Sequence, residues 1–303
     1  MLQKIIVIYL SVFKYFLRFI LLPLIVLSRF KLFQKNIDYV MQTNIKEIIS
    51  KEFLNYLFSK VNLADEKLKL IAVDLGSREG PSSEIVNNKK SFERIILCEG
   101  EEVEARKLKE QGYEVIPNFV SDKSKESIFY HFRDNPGASS LKKPGTKYLK
   151  LYGGSEYFNN HLNFETINIR TLEINSSLKN LSIDKIDLLK LDIQGCEFEV
   201  LNNLLQHSLF PLVIQCEVLD LPFYFDTKYG CEIDKLLSDY NYLCIRSSDE
   251  HFRGGMKIWS DKIYIPDPTK PNGYSIISGR ENSMHHLSKI YRFEKLFDLL
   301  RKI

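Results

Sequence analysis

A chain of 303 residues with 44% hydrophobic and 27% charged side chains can bury a substantial core, which excludes a disordered protein and points to one large α/β domain with attachments. A formal charge of +3, with no dense basic stripe in the body of the chain, argues against nucleic acid as a partner. Five cysteines at 98, 196, 216, 231 and 244, an odd number without CxxC spacing, exclude a disulfide framework and a zinc site and point to a reducing compartment.

From Ile5 to Leu27 nearly every residue is apolar or aromatic, a length sufficient to cross a bilayer, yet Lys14 and Arg18 sit near its middle and Pro23 follows. A charge at the bilayer centre costs about 2.5 kcal/mol or more, so residues 1–35 are expected to form an apolar helix lying in the membrane interface through 5–27. Packing on the protein or on a second subunit is the alternative. A secretory signal is disfavoured, because the two charges break the apolar run and no small-residue cleavage site follows. Arg29, Lys31 and Lys35 favour a cytoplasmic C-terminal side, hence a cytoplasmic protein, peripheral or anchored at the cytoplasmic membrane face. Residues 36–66 read as an amphipathic helical connector, with Ile45, Ile48, Ile49, Phe53, Leu54 and Leu57 at helical spacing.

Residues 67–265 carry the α/β rhythm. Leu70-Ile-Ala-Val73 is a strand ending in Asp74, and Gly76, Gly80 and Pro81 punctuate the turn before a helix near Ser82. About 20 residues on, Arg94 to Cys98 forms a strand tipped by Glu99, where an acid commonly grips ribose hydroxyls. A helix from Glu101 to Gln111, a strand from Tyr113 to Val120 and the polar tip Ser121-Asp122 continue the pattern. From Asp122 to Thr166 the chain is broken by Asn135-Pro-Gly, Lys142-Lys-Pro-Gly145 and Tyr152-Gly-Gly154, as in a lid or acceptor site. Tyr148, Tyr152, Tyr157 and Phe158 offer a surface for a sugar face, and His131 and His161 are weaker candidates for a base. A strand at Thr166–Arg170 and a helix at Leu172–Leu181 follow.

The most informative stretch runs from Asp187 to Val200: an apolar strand interrupted by Lys190, the acidic tip Asp192, Gly195, then a helix with Glu197 and Glu199 in its first turn. Ligands of open α/β sheets bind outside the carboxyl ends of the strands, so Asp192 is aimed at a potential site; the competing reading is that it only caps the helix. Leu212 to Val218 is another buried strand, carrying Glu217. A helix at Ile233–Tyr240 and strands at Tyr242–Arg246 and Lys262–Ile265 complete the domain, which Pro266, Pro268 and Pro271 end. Residues 266–303 are expected as a helical tail, docked on the body or on the membrane-facing end. His285-His286 lacks a carboxylate or cysteine at ligand spacing, so no metal site is expected.

Val73-Asp74-Leu-Gly76-Ser-Arg78-Glu-Gly80, Glu99, Val120-Ser121-Asp122, Asn135-Pro-Gly137-Ala-Ser139-Ser140 and above all Leu189-Lys190-Leu-Asp192-Ile-Gln194-Gly195-Cys-Glu197 resemble the FkbM family of S-adenosylmethionine-dependent methyltransferases, over roughly residues 65 to 265. The resemblance implies a class I methyltransferase, Rossmann-like: a seven-stranded, mostly parallel sheet with helices on both faces. It implies Asp74, Gly76 and Gly80 around the methionine part of S-adenosyl-L-methionine, Glu99 on the ribose, and Ser121 and Asp122 near the adenine. The family more often has Ala-Asn where this chain has Ser77-Arg78, and Glu where it has Gln194, which keeps an acceptor but cannot act as a base.

The expected activity is methyl transfer to an oxygen, with Asp192 and Glu217 contacting the acceptor or its proton. By the resemblance, that acceptor is a sugar hydroxyl of a glycan or glycosylated small molecule. An NAD(P)-type Rossmann oxidoreductase and a non-catalytic membrane-tethered binding module share the layout and remain as alternatives; oligomeric state is not legible.

Overall fold

Leu70-Ile-Ala-Val-Asp-Leu75 forms strand β1 (Leu70–Leu75), and every one of its residues is buried. That continuous apolar run is what a strand covered on both faces requires. The computed structural model describes residues 69–145, 164–221, 223–253 and 256–294. The expected helix over 1–35, the connector over 36–66, the candidates Tyr148, Tyr152, Tyr157, Phe158 and His161, and the helical positions beyond Glu294 lie outside the described residues.

After β1 come α1 (Ser83–Asn87), β2 (Phe92–Cys98), α2 (Glu102–Glu110) and β3 (Glu114–Ile116). Then follow β4 (Phe119–Ser121), β5 (Lys125–Phe132), β6 (Phe164–Glu173), α3 (Ile174–Asn180), β7 (Leu188–Leu191), α4 (Glu197–Gln206) and β8 (Val213–Leu219). The described chain closes with α5 (Gly230–Asp239), β9 (Tyr242–Arg253), β10 (Met256–Pro266), α6 (Pro271–Ile277) and α7 (Glu281–Ile290). Seven strands form one sheet in the order β3-β2-β1-β7-β8-β10-β9. Neighbours from β3 to β8 are parallel, and β10 is antiparallel to both β8 and β9. This is the class I methyltransferase sheet that the resemblance implied. The chain leaves β1 toward β2 and β3 on one side, and β7 then pairs with β1 on the other, so the order reverses between β1 and β7.

One face packs Ile71, Val73 and Leu75 of β1 against Ile174 and Leu178 of α3, Val200, Leu201, Leu204 and Leu205 of α4, and Ile233 and Leu237 of α5. The other face packs Leu70 and Ala72 against Ile85 of α1, Ile277 of α6, and Met284 and Leu287 of α7. Burying each such aliphatic side chain contributes about 1.5–3 kcal/mol. Pro266 ends β10, but α6 and α7 beyond it cover the second face of the sheet, so this stretch docks on the body.

The run Tyr113–Val120, expected as one strand, is two. Pro117 has no N–H to give to a ladder, so β3 stops at Ile116 and the chain turns into β4. β4 belongs to a separate three-stranded sheet, in the order β4-β6-β5. β6 extends to Glu173 and takes Leu172 from the predicted helix. Cys98 and Cys216 are buried in strands as small apolar residues, whereas Cys244 is exposed because β9 is an edge strand.

Candidate functional site

The turn after β1 is the tightest point of the sheet. Gly76 has φ +85°, and a Cβ there would lie 1.9 Å from the carbonyl oxygen of Asp192 at the end of β7. Only glycine lets the two strand tips approach so closely. They are further tied by Asp192 N–H donating to the Leu75 carbonyl (3.1 Å), while Gly76 N–H donating to the Cys98 carbonyl (3.1 Å) fastens the turn to β2. Gly80, at φ +116°, turns the chain into α1 with open space around it.

Asp74 is wholly buried beneath this turn. Its Oδ2 accepts the Ser82 N–H at the start of α1 (2.9 Å), and its Oδ1 lies 3.7 Å from Lys190 Nζ without a hydrogen bond. Burial pushes its pKa up, opposed by the Lys190 ammonium. Lys190 is itself nearly buried. Burial disfavours its charge, but Asp74 and Asp192 outweigh that and hold its pKa above the usual lysine value.

At the tip of β2, Glu99 accepts the Glu101 N–H through Oε1 (2.8 Å), and burial raises its pKa. Arg78 pairs with Glu101 and lies 4.0 Å from Glu104, which clamps the β1 turn to the start of α2. A Cβ on Gly100 would stand 2.3 Å from the Phe119 ring, so that glycine makes room for an aromatic wall. Phe119 in turn packs on Phe129, with ring centroids 4.5 Å apart.

Asp192 does not cap α4. No side chain caps that helix; Glu197, its first residue, instead has its carboxylate accept the N–H groups of Ile193 (2.9 Å) and Gly195 (2.9 Å) in the preceding turn. Burial raises the Glu197 pKa to about 7. Asp192 Oδ2 instead accepts Lys190 Nζ (3.2 Å) and Oδ1 accepts Gln194 Nε2 (2.8 Å), with the side chain 37% exposed. Glu217 on β8 accepts the other Gln194 N–H (2.8 Å); burial, then the charge of Asp192, pushes its pKa well above the carboxylate range.

These elements enclose a cavity of about 560 Å³ at the carboxyl ends of β1, β2 and β7. Among the sequence-predicted residues, Gly76, Gly80, Glu99 and Asp192 line it, Asp74 lies buried beneath it, and Glu217 stands behind Gln194. Ser121 and Asp122 do not line it. Ser121 ends β4 and Asp122 follows it, away from the third strand of the main sheet, and Asn118, Phe119 and Val120, after Pro117, line the cavity instead. Residues Asn135–Leu141 contribute the opposite wall, as expected of the irregular stretch. His131 Nδ1 is 3.6 Å from Glu101 Oε2, and His131 is not part of the lining. Sequence reasoning passed over Asn118, Phe119 and Lys190; Pro117 was the signal for the first two.

A family model described as the methyltransferase FkbM domain matches residues 74–244. No curated protein matches the chain. Among solved structures, the chain is similar to magnesium protoporphyrin IX methyltransferase from Synechocystis PCC 6803 with bound SAM, at 12% identity, covering 78% of this chain and 84% of that one with a TM-score of 0.34. It is also similar to the methyltransferase domain of bacterial CtHen1, at 13% identity, covering 66% of this chain and 91% of that one with a TM-score of 0.32.

Proposed function

The chain belongs to the FkbM methyltransferase family and is an S-adenosylmethionine-dependent methyltransferase, and from that premise we propose that it methylates an oxygen, a sugar hydroxyl of a glycan or glycosylated metabolite. The observation that carries the reading is the cavity at the β1/β7 reversal, the position at which open α/β sheets bind nucleoside-type ligands. Its volume of about 560 Å³ suits a ligand of that size. The Gly76 cradle, which any Cβ would fill, suits close backbone approach. Four carboxylates (Glu79, Glu99, Glu101, Asp192) against two cations (Arg78, Lys190) in the lining suit a sulfonium cation.

When bound, S-adenosylmethionine supplies an activated methyl group. In this reading Glu99 accepts the ribose hydroxyls, and Asp192, with one oxygen held by Lys190 and the other by Gln194, turns its exposed side to the acceptor and orients its hydroxyl proton. Glu217 lies one bond further back and acts through Gln194. An acceptor carried on a lipid would suit an interfacial helix at residues 5–27. Among the described residues no helix is long and apolar enough to cross a membrane.

Calorimetry with S-adenosylhomocysteine, with NAD as the control, tests the cofactor without knowledge of the acceptor. Glu99→Ala removes a charged acceptor and should weaken S-adenosylhomocysteine binding by about 1.5–3 kcal/mol. Labelled methyl transfer to a panel of sugars tests the acceptor class. Binding of NAD in place of S-adenosylhomocysteine would refute the cofactor assignment, and labelling confined to non-sugar acceptors would refute the sugar.

A further inference from the structure

Gln194 stands out on backbone and side-chain grounds together. It has φ +52°, in the left-handed region that a residue with a Cβ seldom adopts. That conformation is held by bonds to three separate elements. The backbone carbonyl accepts Ser140 Oγ (2.6 Å), which fastens the 135–141 wall. The side-chain oxygen lies 3.1 Å from the Tyr224 hydroxyl, whose one hydrogen is shared between it and the nearer Ala138 carbonyl (2.8 Å). The side-chain nitrogen gives one hydrogen to Asp192 Oδ1 and one to Glu217 Oε2, each at 2.8 Å.

Both amide hydrogens are therefore spent on carboxylates. The carboxylates take the amide nitrogen, and Tyr224, sharing its one hydrogen with the amide oxygen on the other side, favours the same orientation. Without the amide between them, Asp192 and Glu217 would face each other with the Lys190 ammonium near both, and after burial it is the Asp192 charge that already acts to raise the Glu217 pKa. Asp192, on the partly exposed side, would swing from its present direction, since Lys190 alone would then restrain it. The high pKa of Glu217 agrees with its role as the sequestered member of the pair.

We propose that Gln194 is a positioning residue for methyl transfer: its amide, oriented by Tyr224, ties Asp192 to Glu217 so that the Asp192 carboxylate is directed at the sulfonium end of the cofactor cavity. The inference rests on the methyltransferase reading above. It concerns how the Asp192 charge is aimed, and it needs no acceptor to test.

S-adenosylmethionine and S-adenosylhomocysteine differ at one position, a methylsulfonium against a neutral thioether. The ratio of their affinities thus reads negative charge at that position, while the affinity for S-adenosylhomocysteine alone reads whether the cavity is intact. Both are measured by calorimetry on the full chain at pH 7.5. A carboxylate aimed at a cation several ångströms away is worth about tenfold in that ratio, so Asp192→Asn should lower it by about tenfold. Gln194→Met keeps the volume and removes the amide; it should lower the ratio by about threefold or more with little change in S-adenosylhomocysteine affinity. Tyr224→Phe keeps the ring and frees the amide to turn, and should shift the ratio the same way by about twofold or more, which keeps the test open if Gln194→Met does not fold. A ratio unchanged in Tyr224→Phe and in folded Gln194→Met, while Asp192→Asn lowers it, would overturn the positioning role and leave the cofactor assignment standing. Failure of the unaltered protein to bind S-adenosylhomocysteine would overturn both.

Discussion

Gly76 is where backbone geometry and ligand site coincide, and substituting it separates two effects that glycine turns usually mix. In Gly76→Ala the new Cβ meets the Asp192 carbonyl oxygen at 1.9 Å, about 1 Å inside any ordinary contact, and the obstacle is backbone and not a flexible side chain. Left-handed strain contributes about 1–2 kcal/mol. Displacing the β7 tip adds about 1–3 kcal/mol of overpacking, and stretching the Asp192 N–H to Leu75 bond adds about 1 kcal/mol. The expected cost is about 3–6 kcal/mol. Gly80→Ala has the same kind of backbone, φ +116°, but nothing within 4 Å of the new atom, so it should cost only the strain, about 1–2 kcal/mol. Urea unfolding of the full chain, followed by fluorescence, measures both variants, because the one tryptophan, Trp259, lies in β10 of the sheet. Calorimetry with S-adenosylhomocysteine should show binding lost in Gly76→Ala and largely kept in Gly80→Ala. Equal midpoints for the two variants would refute the claim that close approach to Asp192 is why residue 76 is glycine.

Three further outcomes follow from the site and its support. Because Asp192 caps no helix, Asp192→Asn should leave the melting temperature nearly unchanged while single-turnover methyl transfer falls by roughly 10²-fold or more; a near-normal rate would end the chemical role of that carboxylate. Arg280 binds the carbonyls of Ile186 and Phe210 and pairs with buried Asp187 at 3.0 Å, so Arg280→Met strands that charge and should cost about 3–5 kcal/mol. Calorimetric melting should drop by about 6 °C or more, and a drop under about 2 °C would show that the pair contributes little. Burial raises the pKa of Glu197 to about 7, above its unfolded value, so its stabilising contribution is complete below about pH 4.5 and is lost as pH rises through 7. That is on the order of 3 kcal/mol. Glu197→Gln should flatten the fall in melting temperature between pH 5 and 7.5, and an unaltered slope would mean that Glu197 ionises in place without cost.

The alternation of apolar strands, acidic tips, glycine turns and amphipathic helices was enough to specify a doubly wound α/β domain and to put Gly76, Gly80, Glu99 and Asp192, which line the cavity, at strand ends and turns, because those features depend on spacing along one segment; the seven-stranded sheet came from the family resemblance. The same local pattern could not tell whether Asp192 caps a helix or faces a ligand. A cap and a site residue occupy the same place in the chain, and only the third dimension shows Asp192 bonded to Lys190 and Gln194 and to no helix N–H. Pro117 marks locally where β3 must stop, but not that the chain then enters a second sheet, which puts Asn118 and Phe119 and not Ser121 and Asp122 in the lining. The segment after Pro266 reads locally as a terminal helix, yet α6 and α7 join α1 in covering one face of β1, from positions roughly 200 residues distant in sequence. The reason Gly76 must be glycine is likewise non-local: the atom in its way belongs to Asp192. Residues along one strand or helix declare their own element through periodicity, whereas contacts between strand tips are decided by how the sheet is ordered, and that order exists only once the chain has folded.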